Sequence, residues 1–189
     1  PRKSDTIRSY GFLKAWEQGE DVWTMDDDVR LIDDSDPLTC YEETKGMEAD
    51  LTGYFSVGDM TDTYAEMRGY PYKNRSCKAT AVQYGGWNNV PDYDAIKQID
   101  RIGWEKAEFT EDVETVPKYL AVTGCIMNAY IPHRWIPAMY QLLMGHEEYG
   151  VDRNGDIWSG LFMKRIADHL NEGVAINGYA SIEHIRASD

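Results

Sequence analysis

Apolar residues recur at helical spacing in two long stretches of the chain. Ile7, Tyr10 and Leu13, with Trp16 one step on, follow a Ser4 or Asp5 cap and precede a stop at Gly19. From Asp156 onward, Trp158, Leu161, Phe162, Ile166 and Leu170 repeat at three- and four-residue steps until Gly173. Both patterns predict amphipathic helices whose apolar stripes face a core. Pro137 stands where a first helical turn accepts proline, with Met139, Leu142 and Leu143 following on one face. Strand-formers gather at Asp21 to Met25, and again from Lys78 to Tyr84, which is expected to end at Gly85-Gly86 and open into a loop over 87–94. Tyr119 to Val122 forms a further apolar stretch, with a bend at Gly124. Val174 to Asn177 reads as a last strand, leading on to His184. Residues 33–66 are acidic and broken by Pro37, Gly46, Gly53 and Gly58, so they read as irregular. Strands separated by helices predict an α/β fold with a largely parallel sheet.

Length and composition narrow the class. The 189 residues fit a single domain over 1–189, with enough chain to bury a core. Six Trp, 13 Tyr and 4 Phe exclude a disordered chain. No apolar run nears the roughly 20 residues of a membrane span, and mean hydropathy is −0.57. A formal charge of −14 disfavours nucleic acid as a partner, because phosphate neutralisation needs Lys and Arg. Three cysteines without CxxC spacing indicate neither a disulfide framework nor a zinc site, and fit a reducing, cytoplasmic compartment.

The sharpest chemical feature is Asp26-Asp27-Asp28, directly after the first strand. In an extended chain residues i and i+2 point the same way, so Asp26 and Asp28 can converge on one hard cation. Ligands of α/β sheets sit beyond the carboxyl ends of strands, where this triplet falls. The bland alternative is a solvated acidic loop. Asp156 is either a helix cap or a carboxylate aimed into a site. Arg68 and Arg75 flank Gly69-Tyr70-Pro71-Tyr72 and either grip a diphosphate or pair with surface acids. Of the four histidines, His184 alone is placed as a candidate ligand, at the end of an aromatic strand.

Thr24 to Asp28, Arg68-Gly69-Tyr70-Pro71, Arg75 and Asn89 to Ala95 resemble the reversibly glycosylated polypeptides, the UDP-arabinopyranose mutases of plants and their microbial relatives. The order continues through Met127-Asn128, Pro137 to Tyr140, Asp156 to Gly160, Asp168-His169-Leu170 and His184 to Ser188. The resemblance implies a GT-A-like (Rossmann-like) nucleotide-sugar fold, with a mixed sheet and flanking helices. It also implies a divalent metal, Mn2+ or Mg2+, and a UDP-sugar substrate. The expected activity is interconversion of the pyranose and furanose forms of UDP-arabinose, with self-glycosylation on an arginine.

Carried over by position, Asp26, Asp28 and His184 are metal ligands, and Arg68, Arg75 and Asp27 are catalytic. Asp156, Trp87 and Asn128 bind substrate. Family members carry a further nucleotide-binding strand and helix ahead of this point, so the resemblance implies an N-terminally incomplete domain here. It extends to a homo- or hetero-oligomer and to peripheral Golgi association. Two rivals stand beside it: a metal-dependent glycosyltransferase with a separate acceptor, and a non-enzymatic interaction subunit.

Overall fold

The computed structural model describes residues 6–49, 77–78, 81–89, 108–122, 124, 126–141 and 155–185. Helix α1 (Thr6–Gln18) stops as the pattern predicts. Gly19 takes a φ of 78°, the Gly19 N–H donates to the Trp16 carbonyl and the Glu20 N–H to that of Ala15, which satisfies the last carbonyls of the helix. Strand β1 (Val22–Met25) follows, and an acidic turn leads to β2 (Val29–Arg30).

The segment expected to be irregular contains helix α2 (Pro37–Thr44). Its start was legible: Asp36 is an N-cap whose Oδ1 accepts the Thr39 N–H at 3.2 Å, and Pro37 occupies the first helical position, where a proline loses no hydrogen bond. Short strands β3 (Glu48–Ala49) and β4 (Cys77–Lys78) pair with each other. They are followed by β5 (Gln83–Asn89), β6 (Val113–Thr115), β7 (Asn128–Ile131) and a 3-10 helix (His133–Met139). Helix α3 (Gly155–Leu170) and the long strand β8 (Ala175–His184) complete the described chain. Asn171 ends α3 in place of the expected Gly173; with a φ of 56° it adopts the left-handed conformation that asparagine tolerates better than most residues.

The main sheet has six strands, five of them in the order β1-β7-β5-β8-β2, with β6 also paired to β8. The expectation of a largely parallel sheet is corrected. Only β5 and β8 run parallel, while β1–β7, β5–β7, β2–β8 and β6–β8 are antiparallel. Parallel neighbours need a long crossover, usually a helix, and the one parallel pair, β5 and β8, has α3 in the chain between its strands. The sheet is therefore mixed, with helices on both faces.

On one face Phe12 of α1, Trp135, Ile136 and Met139 of the 3-10 helix, and Met163 and Ala167 of α3 bury Tyr84, Ala129 and Ile131. On the other, Tyr41 of α2 stacks on Tyr130, with ring centroids 5.4 Å apart, beside Ala180 and Trp23. Two-residue alternation along β7 sends Ala129 and Ile131 one way and Tyr130 the other.

Both long helices are rotated relative to their expected faces. In α1 the buried residue is Phe12, while Ile7, Tyr10, Leu13 and Trp16 are exposed. In α3 the inward face consists of Ser159, Gly160, Met163, Lys164, Ala167 and Asp168, and Trp158, Phe162, Ile166 and Leu170 are exposed. Close approach explains the choice at one point of α3: a Cβ on Gly160 would stand 2.8 Å from the backbone nitrogen of Gly124, so glycine faces inward there. Among the described residues no helix is long and apolar enough to cross a membrane.

The glycines expected to end a strand instead lie inside β5. A Cβ on Gly85 would lie 2.1 Å from Asn128 Nδ2 and 2.2 Å from Tyr41 Oη, both held in a buried hydrogen-bond network. Gly85→Ala is expected to destabilise the protein by about 2–3 kcal/mol, the scale of overpacking a filled core. Gly11→Ala is its control. That site in α1 is open, so alanine should be neutral or stabilising by up to about 1 kcal/mol. Thermal unfolding of the two variants checks both signs.

Candidate functional site

The acidic turn runs from β1, at one end of the strand order, to β2, at the other, which pairs with the end of β8. Val29 pairs with His184, and the Ile185 N–H donates to the Asp28 carbonyl at 2.9 Å, so backbone bonds tie the turn to the tip of β8. This brings Asp28 Oδ2 to 3.6 Å from Nε2 of His184, whose ring is almost wholly buried at 2% exposure. Strand β5 ends beside the same point: Asn89 is the parallel partner of His184, and its Nδ2 donates to the His184 carbonyl at 3.0 Å. Asn89 holds a φ of 78°, and its side-chain bond anchors that backbone against β8.

Asp26 is directed elsewhere. Its Oδ1 lies 3.1 Å from Nη2 of Arg8 on α1. Burial pushes the Asp26 carboxyl above the usual carboxylate range; the Arg8 guanidinium opposes this, and the charges of Asp28, Asp156 and Asp27 add to it. The charges of Asp27, Asp28 and of Asp156 in the first turn of α3 thus act on Asp26.

Asp156 is inside the helix rather than its cap, since α3 begins at Gly155, and its Oδ1 accepts the N–H of Ile157 at 2.9 Å. A carboxylate in a first helical turn is favoured by the helix dipole. Residues 27 and 28 form a turn, so the rule that i and i+2 share a face does not apply to them. Among the described residues no three His, Cys, Asp or Glu side chains are grouped to hold a metal ion. The structure thus unites Asp28 with His184, and Asp26 with Arg8, in one neighbourhood that Asp156 borders.

Asn128 is the strand partner of Met25, the residue before Asp26, and Trp87 lies two residues before Asn89 on β5. Asn128 is 1% exposed and its amide is engaged inside the protein. Its Oδ1 accepts from Trp23 Nε1 at 2.9 Å and Tyr41 Oη at 2.8 Å, and its Nδ2 donates to the carbonyls of Gly86 and Ala180. Trp87 pairs with Ile182 in the middle of the sheet and packs on Phe109, with ring centroids 5.0 Å apart. Arg68 and Arg75 lie outside the described residues. Cys40 is half-buried, and burial, with the nearby charges of Glu43 and Asp36, raises its thiol pKa and keeps it protonated.

Two residues escaped sequence reasoning. Arg8 sits on a helix with no motif around it, and nothing local ties it to a carboxylate 18 residues away. Asn89 carried a weak signal, as an asparagine at the end of a strand-forming run.

Comparison with known proteins gives a consistent picture. The model of the family described as reversibly glycosylated polypeptide matches residues 2–189. The chain is 34% identical over 195 residues to UDP-arabinopyranose mutase 1 of Oryza sativa subsp. japonica, covering 99% of this chain and 52% of that protein. It is 33% identical to probable UDP-arabinopyranose mutase 2 of Solanum tuberosum, with the same coverage. Identity to UDP-arabinopyranose mutase 1 of Arabidopsis thaliana is 32%, over 99% of this chain and 53% of that protein. The chain spans about half the length of the curated relatives it matches.

Proposed function

The chain belongs to the reversibly glycosylated polypeptide family, and from that premise we propose that it acts on a UDP-sugar, interconverting the pyranose and furanose forms of UDP-arabinose on a GT-A-like scaffold. The observation that carries the proposal is the pairing of Asp28 with His184 at the acidic turn that follows β1.

The resemblance assigns a divalent cation of the Mn2+ or Mg2+ type to Asp26, Asp28 and His184, whereas among the described residues no three such side chains are grouped to hold one. Carboxylates and an imidazole are suitable ligand types; the raised pKa of Asp26 comes first from burial, with the neighbouring carboxylates adding to it. Asp28 and His184 would hold it, with Asp26 as the third ligand once its carboxylate turns from Arg8. When bound, the ion supplies Lewis acidity and neutralises charge on a departing diphosphate. The chain's own groups do the rest. The burial of His184 and the backbone bond from Ile185 to Asp28 fix two ligands in advance, which lowers the entropic cost of binding. Asp27 lies in the same turn, and the resemblance assigns it a catalytic role. Arg68 and Arg75 are assigned to capture of the sugar and to charge on the leaving group, the roles their positions hold in the resemblance.

Chromatography of the nucleotide-sugar pool tests the proposal. UDP-arabinopyranose incubated with protein and Mn2+ is expected to yield the furanose isomer, and a chelator to prevent it. Release of UDP without the isomer would instead support a glycosyltransferase with a separate acceptor. A pool unchanged with and without Mn2+ would count against catalysis by this chain.

A further inference from the structure

We infer that the outward stripe of α3 and the turn over 117–120 form a docking groove for an acidic amphipathic helix of a partner protein. Trp158, Phe162, Ile166 and Leu170 recur at four-residue steps along α3, and all four are exposed. Helical rise makes that stripe about 18 Å long. Single exposed apolar residues are ordinary, but a continuous line of large ones marks an interaction surface. Lys118, Tyr119, Phe162, Arg165, Ile166 and Leu170 line a groove of about 750 Å³ along it. Ile166 and Leu170 continue into a neighbouring hollow against Pro137 and Ala138, so the apolar floor is elongated.

Tyr119 is held in place against its own backbone preference. Its φ of 67° is a left-handed conformation that a bulky residue rarely adopts, yet the residue is 67% exposed and fills no core. The buried pair of α3 keeps it there: Asp168 Oδ2 accepts the Tyr119 N–H, and Lys164 Nζ donates to the Pro117 carbonyl. Backbone strain that serves no packing points to a surface in use.

Charge selects the occupant. Lys118 Nζ and Arg165 Cζ lie 5.1 and 5.8 Å from the centroid of the Tyr119 ring. Among the described residues neither is in an ion pair with a carboxylate. Lys118 donates to Asn171 Oδ1, and Asp168, the one acid among the lining residues, is neutralised by Lys164. A cationic, apolar groove in a chain of formal charge −14 complements a helix with acids flanking an apolar stripe. Its lining is too exposed to enclose a small molecule, which needs most of its surface buried. An anionic bilayer would extend past the groove and meet the acidic remainder of the chain, whereas one helix stays within a Debye length of the two cations.

Fluorescence anisotropy tests this with a fluorescein-labelled peptide of about 12 residues that alternates pairs of glutamate and leucine, long enough to span the stripe as a helix. The intact chain is expected to bind it with a dissociation constant of about 100 μM or tighter. A counterpart with serine in place of leucine should bind at least about tenfold more weakly. Lys118→Glu combined with Arg165→Glu should weaken the first peptide by at least about tenfold. Tyr119→Gly should weaken it about fivefold while shifting the melting temperature by less than about 3 °C, because relief of strain offsets the added freedom of the unfolded chain. Equal binding of the two peptides overturns the inference, as does a charge-reversed variant that keeps its circular dichroism spectrum and binds within about twofold of wild type. Displacement of the peptide by millimolar UDP would make the groove a nucleotide site and also overturn it. So would sedimentation with phosphatidylserine vesicles, or a dimer that the charge reversal splits into monomers.

Discussion

Asp168→Ala is expected to destabilise the protein by about 3–5 kcal/mol, the cost of leaving one partner of a buried ion pair alone. Lys164 and Asp168 lie one turn apart on the inward face of α3, with side-chain exposures of 3% and 4% and an Nζ–Oδ1 distance of 2.5 Å. The pair reaches beyond its own helix. Lys164 Nζ donates to the Pro117 carbonyl at 3.1 Å, and Asp168 Oδ2 accepts the Tyr119 N–H at 3.0 Å, where Tyr119 holds a φ of 67°. Losing the carboxylate strands a buried ammonium and releases the turn over 117–120 from α3.

Since small domains have a total stability of roughly 5–15 kcal/mol, an effect of this size threatens folding at ordinary temperature. Urea unfolding followed by circular dichroism measures it. The double variant Lys164→Met with Asp168→Leu separates charge from packing, because replacing a buried ion pair by apolar groups of similar volume is often neutral or stabilising. If Asp168→Ala changes stability by less than about 1 kcal/mol, the pair is not the link between α3 and the turn.

Asp28→Asn is expected to lower turnover of the UDP-sugar by at least about 100-fold, roughly 2.7 kcal/mol of transition-state stabilisation. The change is nearly isosteric and leaves in place the backbone bond from Ile185 to the Asp28 carbonyl, so the fold should be retained. What disappears is a carboxylate 3.6 Å from His184, the one proposed above as a ligand. An amide oxygen binds a hard cation more weakly than a carboxylate does, and the neutralisation of leaving-group charge goes with it. Steady-state rates at saturating Mn2+, beside melting curves for both proteins, decide the matter. A variant within tenfold of wild-type turnover would remove Asp28 from the list of ligands.

Much of the architecture follows from short-range information. The limits of α1 and α3 can be read from apolar spacing, and the stop at Gly19 from the freedom of glycine to adopt positive φ. Helix α2 could also have been found, since Asp36-Pro37 with Thr39 is a start signal; weighing Pro37 as a breaker concealed it. The acidic triplet at the end of β1 and the family-specific order of motifs were equally legible. Each depends on residues a few positions apart, where hydrogen bonds and dihedral preferences are set locally.

Partnerships between distant residues were not legible. The apolar stripe of each long helix marks a helix without saying which way it faces. Phe12 is buried because the 3-10 helix and the sheet lie against that side of α1, and α3 turns Gly160 inward because another backbone passes within van der Waals distance. Gly85 and Gly86 suggest a turn in sequence, yet Gly85 makes room in the sheet for the side chains of Asn128 and Tyr41. The site follows the same division. Local chemistry placed three aspartates in one turn, whereas the pairing of β2 with β8 brought His184 to Asp28 and the packing of α1 brought Arg8 to Asp26. Local backbone energies depend on nearest neighbours along the chain. The choice of a buried face or a charged partner depends on groups outside that local range, 18 residues away for Arg8 and Asp26 and far more for Asp28 and His184. Those meet only when the fold has assembled.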